Sequence, residues 1–229
     1  MKTIAVVLAG GSGRRVGGQV PKQLLPLGGR PVLVWSVETM EAAAGVDELI
    51  VVANPAYRSE VEGLVAGLRL SKPLKVVEGG TTRVESVANA LDAIKETEAN
   101  VLIHDAARPL VSQSIISNVC CALEKHQAVG VALKMVDTVW QARAGKIAAC
   151  LDRSLLWRAQ TPQAFRLSLL RQAHRAAAAD PDFEDATDDC GLVGRYCPNA
   201  EIYIVEGEER NMKLTYPGDL SLLEALISG

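Results

Sequence analysis

Aromatic residues make up only 4% of this 229-residue chain, and histidines number three. With so few rings, Trp35, Trp140 and Trp157 read as packing residues rather than base-stacking platforms, Trp35 in the core and Trp140 on an arm. An excess of one charge is lacking too: 24 Lys and Arg against 27 Asp and Glu give a formal net charge of -3. That balance gives no bulk reason to bind nucleic acid or an anionic membrane, so any recognition of anions must be local. No apolar run is long enough for a bilayer. The opening MKTIAVVLAGGSGRR has the lysine and apolar stretch of a signal peptide, but cations stand where a cleavage site should be, and it reads as a first strand. Cys120, Cys121, Cys150, Cys190 and Cys197 are odd in number, contain no C-x-x-C pair and lie in a chain too large to need stapling, which fits reduced thiols in a cytoplasm best. His104, His126 and His174 are not spaced with them as zinc ligands would be.

What is present is a set of short runs rich in β-branched residues: TIAVVLA (3–9), ELIVVA (48–53), LKVV (74–77), NVLIH (100–104), VGVAL (129–133) and EIYIV (201–205). Most do not alternate apolar with polar, so they predict strands covered on both faces. Helical periodicity fills the gaps over 31–44, 83–98 and 113–125, clearest where Val84, Val87, Ala88, Leu91 and Ile94 share a face. Strand and helix alternate through the first 135 residues. The expected fold is an α/β, Rossmann-like doubly wound, mostly parallel sheet, in one domain over 1–229, with ligands at the carboxyl ends of the strands. The alternation breaks at VDTVWQARAGKIAACLD, whose two extended segments around Ala144-Gly145-Lys146 predict a protruding β-hairpin arm over about 136–158. Such an arm either crosses its own surface or pairs with a second subunit.

LAGGSGRRVGGQVPKQ (8–23) follows the first strand with five glycines, two arginines and a lysine. A dinucleotide turn would need glycine where Val16 stands, and a P-loop would need lysine where Gln19 stands. What remains is a flexible loop carrying Arg14, Arg15 and Lys22, a combination suited to a triphosphate: backbone N–H groups can hold the outer phosphates while cations neutralise charge building at the reacting phosphorus. GGTTR (79–83) follows a strand and opens a helix, with the Ser86 hydroxyl one turn in. Asp105 ends the strand NVLIH, where a hard carboxylate either ligates Mg²⁺ or caps the next turn. His104 reads as structural, because a phosphate nucleophile is ionised near neutral pH and needs no general base. Arg108, Arg153 and Lys213 are cations that the fold could gather around a monophosphate. Asp188 and Asp189 are explained by helix capping, with a metal pair as the alternative.

LAGGSGRR with PKQ resembles the signature of sugar-nucleotide-type nucleotidyltransferases. PKQ, with GGTTRVESV, HDAARP, DT (137–138), LDR…TPQ (151–163), TDD (187–189) and NMKLTYPGDL in order, resembles the cytidylyltransferases that act on 2-C-methyl-D-erythritol 4-phosphate in the non-mevalonate isoprenoid pathway. Many members carry alanine where Gly10 stands, a small-for-small change expected to preserve the backbone, and some carry aspartate where Thr81 stands. The resemblance implies a Mg²⁺-dependent transfer from CTP, with Arg15, Lys22 and Lys213 catalytic. It implies nucleotide contacts at Ala9, Gly10, Gly11, Gly13, Gly80, Thr81, Arg83, Ser86, Asp105 and Ala106, with Asp105 at the metal. Substrate contacts fall at Asp105, Arg108, Thr161, Thr187 and Lys213, and at Thr138 and Arg153, which reach from one subunit's arm into its homodimer partner's site. A pentitol-phosphate cytidylyltransferase using ribitol 5-phosphate shares most of these motifs, and a non-catalytic nucleotide sensor could share the fold.

Overall fold

The computed structural model describes residues 1–11 and 20–228. In β1 (Thr3–Ala9), Ile4 and Val6 enter the core on one side of the sheet and Ala5 and Val7 the core on the other, all fully buried. A strand apolar on both sides belongs in a sheet covered on both faces. The chain continues through a short ribbon of β2 (Pro26–Leu27) and β3 (Arg30–Pro31), then α1 (Val32–Ala42), β4 (Glu48–Ala53), α2 (Arg58–Ala66) and β5 (Leu74–Glu78). Next come α3 (Arg83–Asp92), β6 (Asn100–Asp105), α4 (Gln113–Leu123) and β7 (Ala128–Lys134). A hairpin of β8 (Val139–Arg143) and β9 (Lys146–Leu151) precedes β10 (Trp157–Arg166), α5 (Leu167–Ala178), α6 (Asp189–Tyr196), β11 (Ile202–Glu206) and α7 (Pro217–Ser228).

Seven strands form the main sheet in the order β11-β7-β10-β6-β1-β4-β5, with β10 alone antiparallel to its neighbours. Helices α1, α2 and α4 cover one face through Leu33, Val61 and Ile115, and α3, α5 and α6 cover the other through Val87, Leu170 and Leu192. The expected Rossmann-like α/β sheet is therefore present. From β1 the chain steps outward to β4 and β5, then returns over α3 to β6 on the opposite side of β1. That reversal opens a crevice at the carboxyl ends of β1 and β6.

Element ends differ from the periodicity. α3 stops at Asp92 rather than running to residue 98, and the carbonyls at and just past its end are met by side-chain donors: Arg171 Nη2 reaches Leu91 O and Ile94 O at 2.9 and 2.8 Å, and Lys75 Nζ reaches Ala93 O at 2.8 Å. β10 stands mid-sheet where the pattern predicts no strand. The hairpin turn is Ala144-Gly145, with φ of 47° and 75°, the paired left-handed conformation that matches strand twist in a two-residue connection. The hairpin leaves Trp140 and Ile147 exposed, at 61% and 59%. Leu223 of α7 packs with Leu27, Val32, Leu110 and Leu214, and the Leu214 N–H donates to Ala107 O at 2.8 Å. This contact brings Lys213 beside the segment that follows β6.

Candidate active site

A cleft of about 870 Å³ lies over the β1/β6 reversal, within the size range of small-molecule sites. Its lining includes Gly10, Gly11, Lys22, Gly80, Thr81, Arg83, Ser86, Asp105 and Lys213, nine of the residues expected at the site. Ala9 and Ala106 are buried and do not line it, although each is next in the chain to residues that do. Gly13, Arg14 and Arg15 lie outside the described residues. Gln23 and Asn54 hold the backbone of residues 9–11: Gln23 Nε2 donates to Ala9 O at 2.6 Å and to Gly11 O at 2.9 Å, while Asn54 Nδ2 donates to Gly10 O at 3.1 Å. With their carbonyls held by side-chain amides, these residues are fixed in orientation. Neither Gln23 nor Asn54 was singled out from the sequence, although PKQ contained the first.

The second turn is held as tightly. Thr82 and Glu85 form a capping box at the start of α3, and Glu85 Oε2 also accepts from the N–H and hydroxyl of Thr81, both at 2.6 Å. Ser86 Oγ donates to Thr82 O at 2.8 Å and accepts the Gly80 N–H at 3.1 Å. A Cβ on Gly80 would stand 2.2 Å from Glu85 Cβ and 3.1 Å from its backbone carbon, whereas one on Gly10 would meet only Ser86 Oγ at 3.4 Å. Gly80→Ala is therefore expected to lower stability by about 1–3 kcal/mol and to weaken nucleotide binding, with Gly10→Ala leaving both near wild type. Thermal melts and CTP titrations check the contrast, and equal behaviour of the two variants refutes it.

Charge alternates across the cleft floor. Lys213 Nζ lies 2.6 Å from Asp105 Oδ2, Arg83 Nε is 4.0 Å from Asp105 Oδ1, and Arg83 Nη2 donates to Asp189 Oδ2 at 2.6 Å. Burial alone would favour a neutral Asp105, but Lys213 and Arg83 outweigh it and hold the carboxyl well below its usual range. Lys22 Nζ donates to Leu214 O at 2.7 Å, which sets a second ammonium beside Lys213.

Beneath Asp105, His104 is fully buried, and burial pushes its pKa down to about 4. Its Nε2 lies 3.1 Å from Arg108 O, which can only accept, so the neutral ring carries its proton there and Nδ1 accepts the Thr161 hydroxyl at 3.0 Å. Thr161 Oγ1 in turn accepts the Asp105 N–H at 3.1 Å. His104 is thus structural, and Thr161 is buried with protein partners. Arg108 donates to Asn211 O at 2.8 Å and to Ala159 O at 3.2 Å, tying the two segments together. Thr187 is exposed just before α6, and Thr138 and Arg153 are exposed on the arm, where Arg153 Nη1 donates to Val136 O at 2.7 Å. Asp188 caps α6 by accepting the Gly191 N–H at 2.8 Å, but Asp189 does not cap: its carboxylate is turned to Arg83. Among the described residues, no three His, Cys, Asp or Glu side chains gather as a metal cage.

Residues 3–229 match the model of the family IspD, 2-C-methyl-D-erythritol 4-phosphate cytidylyltransferase. The chain belongs to that family. A 2-C-methyl-D-erythritol 4-phosphate cytidylyltransferase from Thermobifida fusca (strain YX) is 47% identical over 233 residues, covering 99% of this chain and 93% of its own. One from Cereibacter sphaeroides (strain KD131 / KCTC 12085) is 41% identical over 229 residues, covering 100% and 98%. The crystal structure of the cytidylyltransferase from Thermus thermophilus aligns over 100% of both chains with a TM-score of 0.77 at 31% identity. That of the 4-diphosphocytidyl-2C-methyl-D-erythritol synthase from Anaerococcus prevotii DSM 20548 covers 100% of this chain and 96% of its own, with a TM-score of 0.87 at 27% identity. The family resemblance carried by the motifs and the match along the whole chain agree.

Proposed function

We propose that this cytidylyltransferase-family chain transfers the cytidylyl group of CTP to the phosphate of 2-C-methyl-D-erythritol 4-phosphate and releases pyrophosphate. The observation that carries the reading is one cleft that combines the glycine turns, Lys22, Arg83, Lys213 and the ionised Asp105. An acceptor phosphate oxygen attacks the α-phosphorus in line, a new P–O bond forms, and the bond to the β-phosphate oxygen breaks. No general base is needed, in keeping with a buried, neutral His104 bonded at both ring nitrogens. The chain's work is to hold two repelling anions together and to meet charge as it builds, with Lys22, Arg15 and Lys213 at the phosphates.

Asp105 suits Mg²⁺: Lys213 engages one carboxylate oxygen and Arg83 stays 4.0 Å from the other, and Mg²⁺ sites commonly use one or two carboxylates plus substrate phosphates. When bound, the ion supplies charge neutralisation at the triphosphate. The exposed Trp140, Ile147 and Leu155 of the arm support a homodimer in which Thr138 and Arg153 complete the neighbouring site, Arg153 holding the acceptor phosphate. Five unpaired cysteines support a cytoplasmic location, and no described helix is long and apolar enough to cross a membrane.

The test is pyrophosphate release from each nucleoside triphosphate, with methylerythritol phosphate or ribitol 5-phosphate as acceptor. Release is expected with CTP and methylerythritol phosphate. Faster release with ribitol 5-phosphate overturns the acceptor, and no release with any pair overturns the reading in favour of a nucleotide sensor.

A further inference from the structure

Asp189 carries a buried charge that the reaction outlined above does not use. It opens α6 at 1% exposure, one carboxylate oxygen accepts Arg83 Nη2 at 2.6 Å, and the other is buried with no hydrogen-bond partner among the described residues, as is Arg83 Nη1. Its place is fixed from the sheet: Gln163 Oε1 of β10 accepts the N–H groups of Asp189 and Cys190 at 2.9 and 3.0 Å, and Gln163 Nε2 donates to Asp188 at 2.8 Å. Arg83 therefore stands between two carboxylates, in contact with the deep one and 4.0 Å from the shallow one, Asp105, while Asp188 acts on it more weakly and has both oxygens engaged by Gln163 and the Gly191 N–H. A guanidinium with one free carboxylate in reach closes on it as a two-pronged pair, the strongest geometry open to it.

We propose that Asp189 is a positioning residue that holds Arg83 back from Asp105, so that the Asp105 oxygen not engaged by Lys213 stays open to the metal and triphosphate. The proposal rests on the reading of Asp105 as the metal-bearing carboxylate. Without the Asp189 charge, Arg83 swings to Asp105, which then has a cation at each oxygen and none to spare for a divalent ion. Asp189 acts through Arg83 alone, so its removal matters only while the guanidinium is present.

The experiment measures Mn²⁺ binding to the CTP complex of the full chain by electron paramagnetic resonance, without acceptor, so that no turnover occurs. Asp189→Asn is expected to weaken Mn²⁺ binding about tenfold or more, and in an Arg83→Gln background the same substitution is expected to cost less than about threefold. An unchanged Mn²⁺ affinity in Asp189→Asn, or a loss of equal size in the Arg83→Gln background, overturns the proposal. If Asp189→Asn does not fold, Gln163→Met frees the helix end that carries Asp189, keeps both charges, and is read by the same pair of comparisons. Wild-type protein that binds no Mn²⁺ with CTP, or Asp105→Asn that binds it as tightly as wild type, overturns the reading of Asp105 itself.

Discussion

Lys22→Ala is expected to lower turnover on the order of 10²–10³-fold, with a much smaller change in the KM for either substrate. Lys22 opens a short helical turn directly after Pro21, which sets the chain direction, and its ammonium is drawn over the cleft by a 2.7 Å hydrogen bond to Leu214 O. There it lines the same wall as Gly10, Gly11, Asp105 and Lys213. As pyrophosphate separates, negative charge grows on the leaving oxygen, and a cation already in position meets that charge without reorganising. This stabilisation is realised in the transition state rather than in the bound substrates, which places the loss in kcat. Lys22→Arg is expected to recover little, because a planar fork does not reproduce a compact point charge at the same reach. A hydrogen bond from an ammonium contributes about 1.5–3 kcal/mol to stability, so thermal melts of both variants separate a loss of fold from a loss of chemistry. Steady-state pyrophosphate release with CTP and methylerythritol phosphate checks the ratio, and a kcat within about fivefold of wild type would remove Lys22 from the chemistry.

The parts of this molecule that were legible in its sequence are those whose cause is local. β1, β4 and β6 are buried on both faces, so their apolar runs stand out without any knowledge of the fold. The hairpin turn was legible because Ala144-Gly145 falls between extended segments, and the glycine turns because they follow strands. β10 was not legible: WRAQTPQAFR carries Gln160, Thr161 and Gln163 around Pro162, a composition that argues against a central strand. The structure makes it one by satisfying those polar groups at long range. Gln160 Nε2 donates to Glu208 O at 2.9 Å and its Oε1 accepts from Asn211 at 3.2 Å, while Gln163 holds the start of α6. Such partners, with those of Thr161, are 25 to 57 positions away and leave no periodic trace. Asp189 shows the same limit. Its neighbour Asp188 is a cap, as adjacency to a helix start implies, but the pairing of Asp189 with Arg83 spans 106 positions and only the fold creates it. Motif order identified the family and gathered nine expected residues into one cleft, because a motif records the outcome of folding rather than its local cause.

Mixing two inactive variants is expected to restore activity if arms are shared between subunits. Lys22→Ala removes a cation from the cleft, whereas Arg153→Ala removes one from the arm, where it is exposed and donates to Val136 O across the arm's base. In a homodimer whose sites each take Lys22 from one chain and Arg153 from the other, a heterodimer of the two variants holds one doubly damaged site and one intact site. Random reassortment of equal amounts makes about half of the dimers heterodimers, so the mixture is expected to recover about one quarter of wild-type turnover per chain. Co-expression with two affinity tags and purification of the heterodimer raises the expectation to about one half. The exposed Trp140, Ile147 and Leu155 provide the control: charges introduced there, as in Trp140→Glu, are expected to shift the protein to monomer in sedimentation and to abolish the recovery. If Lys22 and Arg153 instead serve a site within one chain, every heterodimer site carries one lesion and mixing restores nothing.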